Sequence, residues 1–132
     1  MNQGAPTSTS PQTLVAPSFP QKPADHRTWG QLHGSSDALA ICESARAHKG
    51  LTLVITRSTA EAIRLEQSMR FFLGLPPEED GATVTEDGLE LLSLRDWETL
   101  PCDLFSPHQD ITSRRIRTLH RLPSIQHGVI VV

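Results

Sequence analysis

The stretch GLTLVITRSTAEAIRLEQSMRFFLG, Gly50 to Gly74, decides how the rest of the chain is read. Its first part, LTLVIT at 51–56, is a short apolar run bounded by Gly50 and Arg57. Such a run predicts a strand covered on both faces, as in a parallel sheet. A helix follows at once. Ser58 and Glu61 stand at capping-box spacing, where a hydroxyl accepts from the backbone three residues on. Ala62, Leu65, Met69 and Phe72 recur at intervals of three or four, and Gly74 offers a left-handed stop. A strand that runs directly into an amphipathic helix is the first half of a βαβ unit.

Working outward, the preceding residues predict another helix. Ser35 or Ser36 is placed to cap it, Asp37 suits its first turn, and Ala38, Leu39, Ile41, Cys42 and Ala45 supply an apolar face. His48 and Lys49 suit its carboxyl end, with Gly50 as the left-handed stop. Downstream, LPPEEDGATVTEDG is an acidic loop broken by Pro and Gly, LELLSL at 89–94 reads as a second strand, and GVIVV at 128–132 as a third. Between these strands Asp110 is placed to cap a helix reaching about Leu122, ended by Pro123. Helices alternating with buried strands predict an α/β fold: a partial parallel sheet with flanking helices and right-handed crossovers. Because GVIVV is an apolar strand without a closing turn, the chain reads as the amino-terminal piece of a longer protein. A missing neighbour for GVIVV would then leave an exposed apolar edge.

Composition bounds what this fold does. Of the 132 residues, the first 25 are rich in Pro, Ser, Thr and Gln and show no sustained period. They predict a disordered tail at 1–25, with the α/β unit at 26–132, because so little apolar surface does not offset the entropy of ordering. No apolar core of about 7–15 residues follows a basic start, so no secretory signal is read. No run approaches the roughly 18 apolar residues of a membrane span. A soluble, cytoplasmic protein without membrane contact is expected. The net charge of −3 gives no global attraction to nucleic acid. Cys42 and Cys102 lack a CxxC spacing, and the six histidines form no HxxxH pair, so buried thiols and no metal site are expected.

Three places invite a chemical reading. The first is QLHGSSDA, Gln31 to Ala38, a small-residue turn opening a helix, with the outline of a phosphate loop. Such a loop needs a lysine for the β- and γ-phosphates and a hydroxyl for magnesium. Along Gly34, Ser35, Ser36, Asp37 and Ala38 those two positions hold Asp37 and Ala38. A carboxylate repels phosphate and a methyl group ligates nothing, so a degenerate loop that binds no cofactor is expected. The alternative it leaves open is a small P-loop-like nucleotide hydrolase.

The second is DWETLPCDLFSPHQD, with Asp96, Glu98, Asp103 and Asp110. These acids read as a structural loop rather than a catalytic pair, with Trp97, Leu100 and Phe105 folding inward and Pro101 and Pro107 stiffening the path. The third is the helix after it. At 100° per residue Arg114, Arg117 and Arg121 share a narrow arc, opposite Ile111, Ile116, Leu119 and Leu122. The arginines read first as a solvated basic face, and alternatively as phosphate or partner contacts in a nucleic-acid-binding module.

The whole run DWETLPCDLFSPHQDITSRRIRTLHRLP, followed by GVIVV, closely resembles the amino-terminal module of the bacterial transcription-repair coupling factor family. The resemblance extends over roughly Trp29 to Val132 and is most specific from Asp96 to Asp110, where a tryptophan, two prolines and an SPHxD element follow in order. GLTLVITRSTAEAIRLEQSM also fits the strand and helix before that signature. The module is similar in turn to the first domain of excinuclease component B. That domain has an intact phosphate loop and a tyrosine-rich hairpin that grips damaged DNA. Here the lysine and threonine positions hold Asp37 and Ala38, and the chain has no tyrosine. The resemblance implies a non-catalytic scaffold without ATP site or lesion probe. It also implies a parent that is an ATP-driven DNA translocase, using ATP and magnesium in a motor region outside this chain. That parent displaces RNA polymerase stalled at lesions and recruits excinuclease component A. None of these partners is assignable to a residue of this chain.

Overall fold

A computed structural model describes residues 17–77, 83–96 and 109–132. Among these residues three α-helices and three strands alternate: α1 (Ser36–His48), β1 (Leu51–Val54), α2 (Thr59–Leu73), β2 (Glu90–Ser93), α3 (Gln109–Arg121) and β3 (Gly128–Val131). The strands form one parallel sheet in the order β1-β3-β2, with Leu51 and Glu90 both opposite Gly128 and Val54 and Ser93 both opposite Val131. The α/β parallel architecture expected from the alternation is therefore present.

Side chains alternate across a sheet, so the register sorts them onto two faces. One face presents Leu89, Leu91, Val129 and Val131, and α1 and α2 close over it with Ala38, Cys42, Ala45, Ala62, Leu65, Met69 and Leu73 to form the main core. Small residues on α1 let the two helices approach both each other and the sheet. Burial lifts the Cys42 thiol to about 12, a rise that nearby Arg46 opposes and Glu43 reinforces, so it stays protonated at neutral pH. On the other face Leu92 and Ile130 are buried, and α3 lies over β2, where Thr118 Oγ1 donates to Ser93 O at 2.9 Å.

Local chemistry explains the helix ends. The α2 start is as expected: Ser58 Oγ accepts the Glu61 N–H at 3.2 Å, while the Glu61 carboxylate turns back to accept the Arg57 N–H at 3.0 Å. Gly74 closes α2 in the left-handed region at φ 68°, donating to the Arg70 and Phe71 carbonyls. At α1 the expectation needs correction. Ser35 occupies the cap position but makes no side-chain cap bond, and Lys49 at φ 50°, not Gly50, takes the left-handed stop. Gly50 sits tight for another reason, since a Cβ there would lie 3.0 Å from His48 Nε2.

Three further expectations are revised. β1 is an edge strand with one open face, not one covered on both sides: Leu51, Leu53 and the following Ile55 are exposed. β3 is the central strand, bonded on both sides, and its four residues are all buried. On α3 the buried residue is Thr118, while Ile116 and Leu119 of the predicted apolar side are exposed, because no described element covers that flank. Residues 17–25, read as tail, carry no helix or strand but hold a turn with Asp25 N–H donating to Lys22 O, and Trp29 Nε1 donates to Ser18 O at 2.7 Å. Residues 1–16 and the residues expected to fold inward, Trp97, Leu100 and Phe105, with Glu98, Pro101, Cys102, Asp103 and Pro107, lie outside the described residues.

Candidate functional site

The turn from Gln31 to Ala38 closes on itself. Gly34 adopts φ 63°, and the Ser36 N–H and hydroxyl both donate to the His33 carbonyl, at 3.2 and 2.8 Å. The Asp37 carboxylate divides its oxygens. Oδ1 accepts the Ala38 N–H at 2.7 Å and Oδ2 pairs with Arg64 Nη2 of α2 at 2.5 Å. Partial burial of the carboxyl works to raise its pKa, but the Arg64 guanidinium and the Ala38 N–H outweigh it and hold Asp37 below the usual carboxylate range. Ser68 Oγ, one turn on from Arg64, stands 3.4 Å from Ser35 Oγ. Thus α2 clamps the start of α1 through a charge pair and a hydroxyl contact. An anion arriving at this helix start would meet a carboxylate already holding the nearby guanidinium.

The three arginines of α3 also converge, though not on a bare ridge. Arg114, Arg117 and Arg121 line a cleft of about 400 Å³ at the outer edge of β2, facing Glu66 and Arg70 of α2. Arg121 Nη2 pairs with Glu90 Oε2 of β2 at 2.7 Å, so its charge is engaged within the fold. Arg117 remains exposed. Asp110 lies in the first turn of α3 and lines the same cleft.

Beneath the cleft is an ion cluster that the pattern of residues did not reveal. Glu66 and Arg70 are 3% and 6% exposed, and Arg70 Nε lies 3.3 Å from Glu66 Oε1. Arg95, just past β2, brings Nη2 to 3.6 Å from the other oxygen of Glu66, and Arg70 Nη1 donates to the Pro76 carbonyl at 3.0 Å. The available signal was the four-residue spacing of Glu66 and Arg70, which on a helix allows a pair but does not say that it is buried. Arg115 of α3 donates to the Arg95 carbonyl, tying helix and strand end together.

The described residues hold no group of three or more His, Cys, Asp or Glu side chains placed to bind a metal, and no helix long and apolar enough to cross a membrane. No family model matches the chain. Comparison with curated proteins does find relatives. The chain is 37% identical over 114 residues to the transcription-repair-coupling factor of Escherichia coli strain K12, a match covering 86% of this chain. It is 33% identical over 116 residues to the transcription-repair-coupling factor of Haemophilus influenzae, covering 88%. In both cases the match spans 9% of the relative's length. Two relatives of one name, 37% and 33% identical across 86% and 88% of this chain, carry one conclusion: the chain, which spans 9% of their length, belongs to the transcription-repair-coupling factor family.

Proposed function

We propose that these residues form a non-catalytic scaffold module, similar to the first domain of excinuclease component B, within a transcription-repair coupling factor. In this reading the whole protein is an ATP-driven DNA translocase that displaces stalled RNA polymerase at lesions and recruits excinuclease component A. The motor and its ATP and magnesium lie elsewhere in the polypeptide.

The observation that supports a scaffold is the state of the turn before α1. Asp37 stands at the lysine position of the phosphate-loop outline and is paired with Arg64, so the guanidinium that stands there is already engaged when a triphosphate arrives. Ala38, buried, stands at the position of the magnesium hydroxyl. The arginine cleft supports the same reading, since Arg121 is engaged with Glu90 and Arg70 with Glu66. The first pair joins α3 to β2, and Glu66, held by Arg70 within α2, also meets Arg95 just past β2.

Titration calorimetry of the 132-residue chain with Mg-ATP tests the proposal. The expected result is heat indistinguishable from dilution; a dissociation constant in the micromolar range, about −8 kcal/mol, refutes it.

A further inference from the structure

The arginine cleft does not end at α3. It is about 400 Å³ and opens onto a second cleft of about 540 Å³, which shares Glu66, Arg70 and Arg114 with it and adds Arg95 and Phe71. Together they form one groove. Five of the chain's twelve lysines and arginines line it: Arg70, Arg95, Arg114, Arg117 and Arg121. Against them, among the described residues, stand three carboxylates: Glu66 beneath, Asp110 in the first turn of α3, and Glu90 paired with Arg121. The groove is locally positive on a chain whose net charge is −3. Arg114, Arg117 and Arg121 follow one another along α3 over a rise of about 10 Å. At the α2 end stands Phe71, 79% exposed, more than any other large apolar side chain among the described residues. A single exposed ring is ordinary on a protein surface. This one shares its cleft with guanidinium groups, and Phe72 holds it edge-to-face, the ring centroids 5.4 Å apart at 74°.

We infer that this groove binds a single-stranded nucleic acid, its phosphates along Arg114, Arg117 and Arg121 and one base stacked on Phe71. Charge and aromatic ring together select this ligand. Arg70 and Arg95 are held around Glu66 and lend positive charge from beneath. Arg121 meets Glu90 through Nη2, and a guanidinium has five N–H donors, so the pair leaves Arg121 able to reach a phosphate as well. Arg117 is exposed at the rim. The ring decides between a single strand and a duplex. A base offers its flat face to a side chain only when it is free of its neighbours in the stack, and every base has such a face, so the grip tolerates any sequence. An acidic peptide would answer the arginines but leave the ring without a partner. The inference rests on the groove and not on the turn before α1. ATP binding in calorimetry would end the scaffold proposal and leave this one standing.

Fluorescence anisotropy of the 132-residue chain with labelled twelve-nucleotide oligothymidylate and oligouridylate tests it, the two strands separating DNA from RNA as the source. At least one is expected to bind, and more tightly than a duplex of the same length. With three phosphates neutralised, log K should fall with log salt at a slope of about −2, a loss of about 20-fold between about 50 and 200 mM. Arg117→Gln should make that slope shallower by about 0.7. Phe71→Ala should weaken binding by about fivefold or more and leave the slope unchanged. Arg57→Gln removes an equal charge from a side chain 91% exposed and outside the groove, and should leave slope and affinity as they are. No binding of either strand, a duplex bound as tightly, no effect of Arg117→Gln or of Phe71→Ala, or displacement by a polyglutamate peptide as readily as by unlabelled strand would each overturn the inference. Arg117 and Phe71 are both exposed, so neither change removes a core contact.

Discussion

Replacing Glu66 separates a buried charge from its partner and tests whether the ion cluster holds α2 to the end of β2. Glu66 and Arg70 have side chains 4% and 7% exposed, so water replaces little when the carboxylate is lost. In Glu66→Leu the Arg70 guanidinium keeps its bond to the Pro76 carbonyl but loses the Glu66 carboxylate, and Arg95 loses the oxygen 3.6 Å away. Removing one member of a buried pair costs about 3–5 kcal/mol, chiefly through the charge left behind. Against a typical total of about 5–15 kcal/mol, this is a large fraction. With a urea slope of about 1.5 kcal/mol/M, a loss of ~3 kcal/mol moves the unfolding midpoint down by about 2 M. The double variant Glu66→Leu/Arg70→Met removes the buried pair and keeps the volume, and it should recover part of that loss, since apolar replacement of a buried pair is often neutral while Arg95 still lacks the Glu66 oxygen. Urea unfolding followed by circular dichroism measures both. If Glu66→Leu lies within about 0.5 kcal/mol of the parent, the ordinary range for surface substitutions, the cluster is solvated and the argument fails.

Two other outcomes follow from single contacts. Gly128→Ala places a Cβ 2.6 Å from the Glu90 carbonyl oxygen, so β2 must shift; a loss of about 1–3 kcal/mol is expected in the same urea assay, whereas Gly30→Ala, with no atom within 4 Å, should leave the midpoint in place. The Asp37 carboxyl is held low in the folded chain, so the stability it lends is fully present above its unfolded value of 3.8 and lost as pH falls through the lower folded value. Thermal unfolding of Asp37→Asn between about pH 2 and 6 should therefore run closer to the parent at the acid end than near neutrality. Parallel curves across the range would mean that Arg64 does not hold the carboxylate.

Much of the fold was legible in the chain because its signals are local. The α2 start needs only Ser58 and Glu61 three residues apart, and its end needs only Gly74, since each satisfies backbone groups within one turn. The apolar runs at 51–56 and 89–94 located β1 and β2 for the same reason. The turn at Gly34 to Ala38 was legible as chemistry too: the identities of Asp37 and Ala38 set the sign of charge and the absence of a hydroxyl wherever the turn came to lie.

Tertiary structure alone decided strand order, and with it which strand is central. GVIVV and LTLVIT look equally apolar, yet β3 is buried between two neighbours and β1 is an edge with an open face. Apolar composition records that a strand is to be covered, not by what. Nor did the helical wheel foresee α3, whose Thr118 is buried while Leu119 is exposed, because an amphipathic pattern gives the angle between faces and not the position of the neighbour. The Arg64–Asp37 and Arg95–Glu66 pairs join residues 27 and 29 positions apart, distances at which sequence spacing carries no geometry. Residue types and short spacings dictated the elements and the charge at the turn. Non-local contacts, which form only when the sheet assembles, decided which charges are buried and which apolar side chains are left exposed.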